Sequence, residues 1–117
     1  MDEKTFKART KKLAAAIIKE VDKLPRSLAA DVIARQLIRS STSIGANYRA
    51  ACRAKSTPDM INKLKIVEEE SDETLYWFEL LAEAKIVAAE PLAPLMKEDD
   101  EITAMTVASI KTLRAKK

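Results

Sequence analysis

Phe6, Leu13, Ile17, Val21 and Leu24 follow one another at intervals of seven, four, four and three residues, the spacing of one face of an α-helix. The pattern predicts a helix from about Glu3 to Lys23, stopped by Pro25. A second begins near Arg26 or Ser27 and continues to about Lys55, because that stretch contains no proline and only Gly45 to interrupt it. Ser56-Thr57-Pro58-Asp59 then reads as a short turn into a third helix, with Ser56 or Thr57 as the N-cap, Pro58 at the first helical position and Asp59 at the positive helix end. That helix is predicted to persist to about Ala89, where Pro91 and Pro94 disturb the pattern. Glu98-Asp99-Asp100-Glu101 reads as an acidic turn before a last helix containing Ile102, Met105, Ile110 and Leu113, whose C-terminus suits Lys111, Arg114, Lys116 and Lys117. Short connections between helices of matching length make neighbours antiparallel. The expected architecture is therefore an all-α, up-down-up-down four-helix bundle, one domain over residues 1–117.

Each long helix has two faces. At about 100° per residue, Ile33, Leu37, Ser40, Ile44, Asn47, Tyr48 and Ala51 share the bundle-facing side of the second helix. Arg35, Arg39, Arg49 and Arg53 lie opposite, among Leu28, Val32, Thr42, Ala46 and Ala50. Asn47, polar at mid-helix, needs hydrogen-bond partners if buried, and a buried polar group of that kind can fix helix register. In the third helix the inner stripe is Met60, Leu64, Val67, Ser71, Thr74, Leu75, Phe78, Leu81 and Ala82. Ile66, Trp77, Leu80 and Ala84 sit on the far side among Glu69, Glu70 and Glu73. Trp77 there is the candidate anchor of a subunit interface formed with Ile66, Glu69, Glu73 and Leu80. An Arg-bearing and a Glu-bearing outer face, both carrying apolar residues, predict head-to-tail pairing that closes into a cyclic homo-oligomer.

Composition narrows the chemistry. With 117 residues the chain has room for one core. It contains one glycine, one cysteine and no histidine, which removes the usual general base, most zinc and iron sites and any internal disulfide. The net charge of +3 conceals an asymmetry: residues 1–57 hold 13 Lys and Arg against 5 Asp and Glu, and residues 58–117 hold 8 against 13. That polarity attracts a nucleic acid to one surface, or pairs one half of the molecule with the other, or with a neighbouring subunit. No stretch approaches the ~20 apolar residues of a membrane span, and the Lys-rich start lacks the apolar core of a signal peptide. A cytoplasmic protein is the expectation.

Composition argues against an enzyme, and the one catalytic reading to weigh is a metal held by Glu69 and Glu73. Glu69 and Glu73 share a helical face and in principle hold a divalent cation, but bundle metal sites of the di-iron type require Glu-x-x-His pairs. Cys52 lacks an activating base and reads as an inert thiol. Gly45 stands outside any glycine-rich phosphate loop. No cofactor and no metal are expected. Arg35, Arg39, Arg49, Arg53 and Lys55 are the candidate contacts to the phosphates of RNA or DNA. With only Phe6, Tyr48, Tyr76, Trp77 and Phe78 as aromatics, such binding is electrostatic and not based on stacking. The competing reading is a protein-binding scaffold in which the arginine strip serves subunit assembly by pairing with Glu69, Glu70 and Glu73 of a neighbour.

The segment Ser41 to Ala50, above all Ser43-Ile44-Gly45-Ala46-Asn47, resembles the Ser-Ile-x-Ala-Asn stretch of the bacterial 23S rRNA intervening sequence protein family. Arg53-Ala54-Lys55-Ser56, Lys63 to Glu70 and Asp72-Glu73-Thr74 extend the likeness. The resemblance implies an antiparallel four-helix bundle assembling as a homopentamer, without an established activity. It also implies a fold similar to the nucleic-acid-binding accessory proteins of diversity-generating retroelements.

Overall fold

A computed structural model describes residues 2–116. Four helices account for most of the chain: α1 (Glu3–Val21), α2 (Leu28–Cys52), α3 (Thr57–Glu83) and α4 (Ala93–Ala115), the last preceded by a 3₁₀ turn at Glu90–Leu92. Three of the four starts are fixed by local side chains. Asp2 accepts the Thr5 amide at 3.1 Å, Ser27 that of Ala30 at 3.1 Å and Ser56 that of Asp59 at 3.2 Å. Each cap satisfies an otherwise unpaired donor and contributes about 1 kcal/mol.

Two helix boundaries differ from the sequence expectation. α3 ends at Glu83 and not near Ala89, because Lys85 adopts a left-handed conformation (φ 59°) that turns the chain back. The Ile86 amide then bonds the Leu81 carbonyl at 3.0 Å, and Ile86 and Val87 fold onto the core, a helix stop of the Schellman kind with lysine where glycine is usual. α4 begins at Ala93, with Pro94 in its first turn, so Glu98 to Glu101 are helical and form no turn.

Each helix packs on its chain neighbours, and α1 packs on α4, giving a rod of 50 × 21 × 21 Å. The start of α1, the end of α2, the start of α3 and the end of α4 meet around one hollow lined by Glu3, Tyr48, Met60, Leu64 and Leu113. At the other end Val21, Leu24, Leu37, Phe78, Leu81 and Leu92 converge on a smaller one. The core between them is Phe6, Leu13 and Ile17 from α1; Ile33, Leu37, Ile44 and Tyr48 from α2; Leu64, Val67, Phe78 and Leu81 from α3; and Ile102 and Ile110 from α4. Burying each such side chain stabilises the fold by roughly 1.5–3 kcal/mol, and the Phe6 and Tyr48 rings lie 4.4 Å apart.

Small polar residues let the helices approach. Thr74 Oγ1 lies 2.8 Å from Ser40 Oγ across α2 and α3. A Cβ on Gly45 would stand 3.1 Å from Thr10 Oγ1 across α1 and α2. Asn47 is half-buried and donates at 2.9 Å to the Ser43 carbonyl of its own helix. Its hydrogen-bond partner is therefore local, within α2.

Candidate nucleic-acid and assembly surfaces

The expected arginine strip separates into three environments once α1 and α3 lie beside it. Arg39 is turned to α3: its guanidinium bonds Glu70 Oε2 at 3.0 Å and reaches Glu73. Glu73 also accepts the Trp77 indole N–H at 3.0 Å. That hydrogen bond and the Arg39 charge hold the Glu73 carboxyl below its ordinary range. The basic and acidic helices thus meet within one chain at this point. A second such junction joins Arg9 to Glu98 (2.6 and 2.8 Å) and to Glu101 (3.0 Å), and the charge-assisted pairing raises Arg9 further above its already high value.

Arg35 lies at the other end of the rod, exposed beside the Val21-to-Ile38 cleft that also contains Asp22 and Asp31. Arg49, Arg53 and Lys55 cluster at the end where α1 begins. Arg49 borders a groove of about 490 Å³ between α1 and α2, with Lys7 and Lys11 opposite and Ala8, Thr10, Ala14, Thr42, Gly45 and Ala46 as its floor. The missing Gly45 side chain deepens that floor. Arg53 caps α2 and Lys55 occupies the turn that follows, both exposed. Among the described residues, Lys11, Arg49, Arg53 and Lys55 have no carboxylate within salt-bridge reach, whereas Lys7 pairs with Glu3 at 3.4 Å. Dividing the rod where Thr10 meets Gly45 and Ser71 meets Asp99 puts residues 2–11, 44–70 and 101–116 in one half. That half holds 12 Lys and Arg against 7 Asp and Glu; the opposite half holds 8 against 11.

On the outer side of α3, Ile66 is 39% exposed and Glu69 is exposed. Trp77 and Leu80 are half-buried against the core. The placement of Trp77 wholly outside the core is therefore corrected: its ring packs inward and its N–H is held by Glu73. The exposed ring is Tyr76, at 54% exposure, edge-on to Trp77 with centroids 5.0 Å apart. Cys52 sits half-buried beside Glu3 and Tyr48, and burial pushes its thiol above the ordinary range, the opposite of an activated nucleophile. Among the described residues no three His, Cys, Asp or Glu side chains converge as a metal site, and no helix is long and apolar enough to cross a membrane.

With this geometry in place, the family described as 23S rRNA-intervening sequence protein matches residues 4–108. The chain belongs to that family. Among solved structures, a protein of unknown function from the S23 ribosomal protein family of Bacteroides thetaiotaomicron VPI-5482 is 34% identical, with a TM-score of 0.86. The likeness covers 95% of this chain and 99% of that one. No curated protein matches.

In this chain the Ser43-to-Asn47 segment has a visible task. Ile44 fills the core and Gly45 admits Thr10 of α1. Two features escaped sequence reasoning. The Lys7, Lys11 and Arg49 groove joins residues far apart in the chain, and only the α1–α2 register reveals it. Asp99, placed by sequence in an acidic turn, is buried against Ser71; its position in step with Ile102 and Thr106 on one helix face was the available signal.

Proposed function

We propose that the protein is a non-enzymatic accessory or scaffold of the bacterial cytoplasm, an antiparallel up-down-up-down bundle that assembles as a homopentameric ring and associates with RNA through phosphate contacts. The observation that carries this reading is the set of Lys11, Arg49, Arg53 and Lys55, exposed from mid-rod to the end where α1 begins, with no carboxylate partner among the described residues. Arg and Lys in such a cluster suit a phosphate backbone without reading bases. Arg39 drops out of the contact set because Glu70 and Glu73 already hold it, and Arg35 stands apart at the opposite end. The end-to-start helix contacts support the antiparallel order. The test is binding of a generic RNA 20-mer at rising salt. Affinity that falls steeply with salt supports the reading, and no binding at low salt removes it.

A protein-binding scaffold is the second reading, favoured by the exposed Ile66 and Tyr76 on α3 and Leu28 and Val32 on α2. It predicts association that persists at high salt and is lost on Tyr76→Glu.

A further inference from the structure

Asp99 is 0% exposed, at the contact of α4 with α3. Its Oδ1 accepts one hydrogen bond, from Ser71 Oγ at 2.8 Å, and its Oδ2 is buried with no partner among the described residues. The Asp99 carbonyl is already occupied by the Thr103 hydroxyl at 3.1 Å. Among the described residues no cation acts on the carboxyl. From α3 the facing charge is Asp72 and from α4 itself Asp100, both negative. From α1, Arg9 is bound to Glu98 and Glu101, and Lys12 acts on Glu98. An ionised carboxylate in this position is desolvated and repelled with a single donor to offset it, whereas the neutral acid is tolerated.

We propose that Asp99 is a proton-operated latch between α3 and α4: the neutral acid packs the two helices together, and its ionisation loosens their seam. Burial supports this by carrying the carboxyl from 3.8 up to about 7. The direction of the effect follows from proton counting. Between those two values the folded chain holds a proton that the unfolded chain has lost, so stability falls as pH rises through this interval and levels off above it. The latch is unusually legible because the chain has no histidine, the side chain that ordinarily titrates in this window. The carboxyls of Asp2, Glu3, Asp59, Glu73 and Glu98 are all lowered, so their opposite contribution is complete just above the ordinary carboxylate values of 3.8 and 4.5 and leaves the upper part of the interval to Asp99. The Arg9 pairs keep α4 attached to α1 throughout, so loosening is confined to the α3 side.

Two measurements on the full chain test this. In a carbon-13 carboxyl titration, Asp99 changes state near neutrality; a midpoint in the ordinary aspartate range overturns the proposal. In denaturant unfolding across the upper part of this window, above the ordinary carboxylate range, the wild-type unfolding constant rises by up to about tenfold per pH unit, and Asp99→Asn is flat. Equal slopes for the two proteins overturn it. If Asp99→Asn does not fold, amide exchange of wild-type α4 on either side of neutrality decides: faster exchange above neutrality supports the latch, and unchanged protection refutes it.

Discussion

Ser71 Oγ on α3 donates a 2.8 Å hydrogen bond to Asp99 Oδ1 on α4, the one side-chain donor to that carboxyl among the described residues. Removing it leaves a buried acid with neither oxygen satisfied. Ser71→Ala is therefore expected to lower stability by about 1–3 kcal/mol. Because the lost bond favours the ionised form, the variant should also hold the Asp99 proton to higher pH. Denaturant unfolding and the Asp99 carboxyl titration check the two halves of this prediction separately.

Gly45 and Thr10 set the closest approach of α1 to α2. Alanine at position 45 gains roughly 1 kcal/mol of helix propensity but presses on Thr10 Oγ1. That hydroxyl is buried and bonded to the Lys7 carbonyl at 3.1 Å, so it yields poorly. Gly45→Ala is expected to be neutral or destabilising despite its propensity, whereas Gly45→Ala with Thr10→Ala should exceed the sum of the single effects by about 0.5 kcal/mol or more. A double-mutant cycle in urea reads this coupling, and strict additivity would contradict it.

Much of the bundle was legible along the chain because its determinants are local. Ser27 and Ser56 are caps that announce their helices, and the Ile33–Leu37–Ile44–Tyr48 stripe needs only the helical period to be read. The α3 terminus was not legible, since Lys85 takes a conformation for which glycine is the usual signal. The start of α4 was hidden for a different reason: four consecutive acids read as an acidic turn, and the burial of Asp99 depends on α3 lying against it. The surface posed a third problem. Arg39 and Arg49 are the same residue type on the same strip, and only the register of α3 and α1 decides that one is bound to Glu70 and Glu73 while the other borders an open groove.

Tyr76 and Trp77 should separate assembly from folding. Trp77→Ala removes a ring packed on the core and the Glu73 hydrogen bond, and is expected to destabilise the monomer by about 3 kcal/mol. Tyr76→Glu alters an exposed ring and should leave the unfolding midpoint nearly unchanged while reducing the solution mass of the assembly. Sedimentation with parallel thermal melts checks both. A wild-type protein that sediments as a single copy would contradict the assembly part of the account.

The most direct test of the proposed function is the slope of log affinity against log salt for a single-stranded RNA 20-mer. Each phosphate contact contributes about 0.7 to that slope for a single strand. Combined Arg49→Gln, Arg53→Gln and Lys55→Gln replacement is predicted to flatten it by roughly 2 and to weaken binding at every salt concentration, whereas Arg39→Gln leaves the slope unchanged. An unaltered slope in the triple variant, or a loss of binding in Arg39→Gln alone, would contradict the account.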